Sequence, residues 1–308
     1  MIRFPDVIPL PLLVHDRLDT ISKSFLRESG PQVDFSQPAG EPALVPAHSL
    51  SWRIFKNQVS LFIGGVAAVL LELAEPRVRD GVWHHTTFRK EPLKRLQRTG
   101  LAAMVTVYGA RTQAKAMIAG VVRAHERVRG VTMEGEAYHA NDPVLLDWVQ
   151  ATASFGFMEA YAAYARPLAL PQKDAILAEG APTAALYGAT GAPTSQKELT
   201  HLFDMMRIRL APSPVIFEFL EIMKRVEALP SAGKPLQVAL VKAAVGLLPE
   251  WVRSRLAIGS DYDLSAHERL GVRLAVKGAD RLLLRSSPPV QACRRLGLPD
   301  DYLYGRQS

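Results

Sequence analysis

The sequence predicts an all-α protein, folded as a single large multi-helix globular domain. Three observations point there. Apolar residues recur at spacings of three and four, alanine and leucine abound, and alternating runs bounded by turn residues are nearly absent. At 308 residues and 48% hydrophobic, the chain is long enough to bury a large core.

Taken in order, the first helix is predicted over 12–28 and is followed by a proline-punctuated loop, SGPQVDFSQPAGEPALVPAHS. Apolar spacing then predicts helices over 50–60, 61–75, 92–108 and 111–129, the last stopped by a left-handed Gly130. Asp142-Pro143 opens a helix over 143–165, because a small polar cap satisfies free amides and the proline presets the first φ. Ser213-Pro214 opens 214–228 in the same way. Ser195 with Glu198, and Ser265 with Glu268, have capping-box spacing at the starts of 196–209 and 265–284. Helices over 172–187, 235–247, 250–258 and 289–296 complete the set, with AEGAPTAALYGATGAPTS as a loose segment between central and C-terminal blocks. The expected organisation is an N-terminal helix and loop (1–48), a core (49–190), and a C-terminal helical part packed on that core (191–308). Amphipathic helices on both sides need each other as cover, so these are not independent units.

Thirty-seven Lys and Arg against 30 Asp and Glu leave +7, scattered as singles and pairs such as Arg294-Arg295. That pattern reads as ordinary solubility; zinc spacing, RNA-binding aromatics and basic helices with heptads are missing, so no nucleic-acid partner is expected. The lone Cys293 excludes an intramolecular disulfide and suits a reducing compartment. Pro5, Asp6, Pro9 and Pro11 interrupt what a signal peptide would keep apolar, and a cytoplasmic location is expected. The longest apolar run, LFIGGVAAVLLELAEP, meets Glu72 and Glu75 short of the ~20 residues a bilayer span requires.

At 100° per residue, His125 in VVRAHERVRG shares its face with Ala114, Ile118, Val121, Val122 and Val128, while Arg123 and Arg127 point away. An inward imidazole can be a neutral core residue bonded to a carbonyl; a ligand role needs other groups nearby. The preceding helix carries a polar and small stripe of Arg95, Thr99, Ala102 and Thr106, which leaves room, although threonines can simply bond back to their own helix.

Two runs, GGVAAVLLELAEPRVRDGVWHHTTFRKEPLKRLQRTGLAAMVTVYGA and VVRAHERVRGVTMEGEAYHANDPVLLDWVQATASF, carry ordered elements. These are Leu-Leu-x-Leu-Ala-x-Pro, Gly-Val-x-x-His ending at His85, Arg-x-x-x-Thr, His-x-x-Val-x-Gly, and Tyr-x-Ala-x-Asp-Pro leading to Trp148. Over roughly residues 50 to 165 the chain resembles the catalytic domain of the MpaB and latex-clearing-protein oxygenases. The resemblance implies an all-helical haem b protein with its haem pocket between central helices. It implies His125 as proximal iron ligand, and Arg95 and Thr99 beside the haem as cofactor-binding and catalytic residues. It also implies O2 as co-substrate and oxidative cleavage of a C=C bond in an isoprenoid-like or unsaturated lipid. Arg129 is added as a propionate partner from helix phase alone. Ala102 and Ala103 suit an open coordination position, and Arg98, always protonated, cannot be a sixth ligand. Glu75 stands where relatives often have histidine, and Glu72, Glu75 and Asp80 are all open candidates for a catalytic base.

Other readings are a non-catalytic haem sensor or carrier, a scaffold without haem, and a di-iron carboxylate site at Glu136-x-x-His139 and Glu198-x-x-His201. Adjacent His84 and His85 would face apart on a helix, which argues against one shared ion. Trp52, Trp83, Trp148 and Trp251 read as core. The electron donor and oligomeric state have no signature.

Overall fold

The computed structural model describes residues 6–9, 11, 16–20 and 33–305. Among the described residues the regular structure is helical apart from one small hairpin. In order run α1 (Leu50–Phe55), α2 (Gln58–Ala74), α3 (Pro76–His85), α4 (Pro92–Tyr108) and α5 (Arg111–His125). The strands β1 (Arg129–Val131) and β2 (Ala137–His139) pair antiparallel, with Gly130 opposite Tyr138. Then come α6 (Pro143–Tyr164), α7 (Leu170–Tyr187), α8 (Gln196–Met206), α9 (Pro214–Arg225), α10 (Lys234–Val245), α11 (Glu250–Arg255), α12 (Ala266–Ala279) and α13 (Pro288–Arg295). Most of the helix expected over 12–28 lies outside the described residues; 16–20 are helical.

The caps act as their chemistry predicts. Asp142 accepts from Val144 N at 2.9 Å and Ser213 from Val215 N at 3.3 Å. Ser265 and Glu268 form the full capping box, whereas Glu198 accepts from Thr194, one residue before the expected partner. Asn57 breaks the expected 50–60 helix: its Oδ1 caps Ser60 N at 3.1 Å and its Nδ2 holds Val276 O at 3.0 Å. Helix α3 was not expected. Glu75 caps it through Val78 N at 2.9 Å, and Pro76 stands in its first turn.

Three further readings are corrected. Helix α5 ends at His125, not 129, because residues 129–131 turn away to pair with β2. Gly130 is accordingly not among the left-handed glycines; it is small because a Cβ there would lie 2.5 Å from the Tyr138 hydroxyl oxygen. The loose segment narrows to 188–195, since α7 runs through Gly180 and Pro182 to Tyr187.

Two centrally placed helices carry the core. Helix α2 packs along α6, crossing where a Cβ on Gly64 would stand 2.6 Å from the Gly156 carbonyl oxygen. Around this pair an apolar cluster runs from Ile54 to Val276 and includes Leu70, Leu71, Trp148, Phe219 and Val241. A second cluster joins Phe35, Val45, Trp52, Tyr108 and Cys293, laced by Arg295, which donates to the carbonyls of Phe35, Glu41 and Tyr108 at 2.7–2.8 Å. Helix α4 packs on α1, α5 and α13, and α5 packs on α4 and α7. Leu93 and Leu96 on α4 pack against the edge of the central cluster, so the α4–α5 leaf stands beside the central pair.

Among the described residues no single helix is long and apolar enough to cross a membrane. Helices α2 and α3 together have the composition, but the chain bends 110° between them and most of α2 is buried in the core.

Candidate active site

Three polar side chains from three helices come close enough to act on one another where this leaf meets the central pair. Glu72 comes from the last turn of α2, Arg95 from the first turn of α4, and His125 from the end of α5. The helix phase expected for α5 holds: Ala114 and Ile118 are buried, Val121, Val122 and His125 half-buried, and Arg123 exposed.

The electrostatics tie the three together. Burial pushes the Glu72 carboxyl up to about 7, against a weaker downward pull from Arg95 and from the hydrogen-bonding Thr152 side chain on α6. Burial also holds the Arg95 guanidinium below its ordinary range, with Glu72 opposing and Arg98 reinforcing that shift. The His125 imidazole is held below its ordinary value by burial first and by the Arg95 charge second, so it is neutral at pH 7. All three are crowded by protein yet keep part of their accessible surface. None of the three forms a hydrogen bond or ion pair at bonding distance that would exhaust it.

The two ring nitrogens of His125 differ. Nδ1 is buried without a partner, whereas Nε2 is not among the sealed atoms. Asn141, on the turn after β2, donates from Nδ2 to Val122 O at 3.1 Å, and its own Oδ1 is likewise buried and unpartnered.

The remaining expected residues separate. Thr99 is exposed one turn beyond Arg95, and its hydroxyl donates to Arg95 O at 3.0 Å, the back-bonding expected of a helical threonine. Thr106 does the same to Ala102 O at 2.8 Å and meets the Tyr187 hydroxyl at 2.9 Å. Arg129 is exposed on β1, so the helix phase that set it beside His125 does not apply. Ala102 and Ala103 are half-buried on α4.

The structure separates the three carboxylates left open as bases. Glu75 is fully buried but spent, capping α3 and pairing with Arg77 at 2.9 Å and Arg209 at 3.4 Å. Asp80 stands 3.4 Å from Arg79. Only Glu72 of the three faces Arg95 without an ion-pair contact. His85 bonds the Tyr138 hydroxyl at 3.1 Å, and Trp52 and Trp148 are fully buried.

The di-iron spacing does not assemble. Glu136 is half-exposed and pairs with Arg209 at 3.2 Å, His139 is exposed on β2, and Glu198 is spent on Thr194. No group of three or more metal-ligating side chains converges among the described residues. Sequence reasoning missed Asn141, whose signal was its place immediately before the Asp142 cap.

The family model for the "ER-bound oxygenase mpaB/B'/Rubber oxygenase, catalytic domain" matches residues 52–281, a span holding Glu72, Arg95, His125 and Asn141. No curated protein and no solved structure matches the chain.

Proposed function

The chain belongs to the mpaB and rubber-oxygenase catalytic-domain family of oxygenases, and we propose that it holds haem b between the α4–α5 leaf and the central helix pair. There it would oxidise a C=C bond of a small isoprenoid-like or unsaturated lipid. The observation that carries this reading is His125: a neutral imidazole, half-buried on an apolar helix face, whose Nε2 is neither sealed nor bonded.

The residues fit a haem. A metal ligand has to offer an unprotonated nitrogen, and desolvation keeps this ring neutral. The orphaned buried Nδ1 is the position where a ligating histidine ordinarily has a second partner. When bound, a ferrous haem supplies O2 activation, chemistry that protein side chains cannot perform.

The chain's own groups then divide the remaining work. Arg95 places a desolvated positive charge within electrostatic reach of both His125 and Glu72, able to pair with a propionate or with developing negative charge. Glu72, titrating near 7, can take a proton from an allylic carbon and release it again, which a carboxylate at its ordinary value does poorly. Thr99 keeps its hydroxyl oxygen as an acceptor while its proton is held by Arg95 O. The apolar faces of α4 and α5 keep water from the reacting bond and suit a hydrophobic substrate.

Oxygen uptake by the reduced, haem-loaded protein with short unsaturated isoprenoids tests this. Substrate-dependent uptake with carbonyl products is expected, falling at least tenfold in Glu72→Gln. Haem-loaded protein that stays silent across chain lengths would indicate a carrier instead.

A further inference from the structure

We propose that Asn141 is the positioning residue for His125, accepting the imidazole Nδ1–H on its amide oxygen and so presenting the Nε2 lone pair to the haem site proposed above. The inference rests on the reading of His125 as iron ligand and adds the group that would hold that ligand in one tautomer.

The turn carrying Asn141 is tied to the end of α5. Ala140 N donates to Val128 O at 2.9 Å, Val128 N to His125 O at 3.0 Å, and Asn141 Nδ2 to Val122 O at 3.1 Å, one helical turn before His125. The last bond orients the amide: Nδ2 is used on the helix, and Oδ1 is left buried with nothing to accept. His125 Nδ1 is buried with the same deficit. One atom is an acceptor and the other a donor whenever the ring proton sits on Nδ1.

A neutral imidazole has a single N–H. Placing it on Nδ1 leaves Nε2 with its lone pair alone, the form a metal requires. Without an acceptor at Asn141, no other hydrogen bond to the ring distinguishes the two tautomers.

Histidine nitrogen NMR on the full-length chain without haem reads the tautomer directly. At pH 8 the Nδ1–H form is expected at His125, retained in Asn141→Asp and lost in Asn141→Leu. In the ferrous haem-loaded protein, Asn141→Asp should raise the iron–histidine stretching frequency and lower the reduction potential, because a carboxylate pulls harder on the N–H. Asn141→Leu should shift both in the opposite sense. An Nε2–H tautomer in the unsubstituted chain overturns the proposal without any haem measurement, as do unchanged band and potential in both variants. If Asn141→Leu fails to fold, the Asn141→Asp band decides alone: a shift upward supports the proposal, and no shift overturns it. Haem retained by His125→Ala would instead overturn the ligand reading, and the tautomer experiment would still decide whether Asn141 orients the ring.

Discussion

Replacing Glu72 by glutamine should stabilise the protein at pH 8 and leave its stability near pH 5 almost unchanged. Burial raises the carboxyl from 4.5 to about 7 in the folded state. Because the folded value lies above the unfolded one, the native state holds its proton longer. The associated stability is therefore fully present below about pH 4.5, declines as pH rises, and is gone above about 7. At about 1.36 kcal/mol per pH unit the loss across that window is about 3 kcal/mol. Solvent screens the part of Glu72 that remains accessible, so about 3 kcal/mol is an upper figure. Glutamine keeps a hydrogen-bonding group for Thr152 and carries no charge, which removes the decline. Urea unfolding of both proteins from pH 5 to pH 8.5 reads the difference, which should open by about 2–3 kcal/mol in favour of the variant. Parallel curves would refute the reasoning. So would a variant less stable at pH 8, since that result means Glu72 is ionised and held by Arg95.

Glu75→Gln removes a fully buried charge that caps α3 and holds Arg77 and Arg209. A thermal melt should report a loss of about 3 kcal/mol, and a loss under about 1 kcal/mol would deny its structural role. Gly156→Ala forces the α2–α6 crossing apart and should cost about 1–3 kcal/mol in urea unfolding. Gly271→Ala on α12, with open space around the new methyl, should instead gain up to about 1 kcal/mol. Arg129→Ala should leave haem affinity within about twofold, because the side chain is exposed on β1; a tenfold loss would return it to the site.

How much of this was legible depended on the kind of signal. Helix positions followed from apolar spacing and caps, and α4 coincides with its expected span because Pro92 and Gly109 bracket it. The helix break at Asn57 and the start of α3 at Glu75 both carried polar cap residues in the sequence, Asn57 beside Lys56 and Gln58 and Glu75 before Pro76, but apolar spacing does not register a cap. Three residues of β1 are too short to show alternation, and extending α5 through them misplaced Arg129. For the site, period and phase were enough to turn His125 inward, and the motif order supplied the association with Arg95. Choosing Glu72 over Glu75 and Asp80 required three dimensions. All three lie within nine residues, and only the fold shows that Glu75 and Asp80 have arginines at ion-pair distance while Glu72 is buried with Arg95 acting on it from further off.

The central claim is that His125 binds a haem iron, and an absorption spectrum of protein produced with haem supplied tests it most directly. A Soret band near one haem per chain is expected from the unsubstituted protein, lost in His125→Ala while the helical circular dichroism stays unchanged. A colourless preparation from haem-supplied cells, or an undiminished band in the variant, would contradict the account.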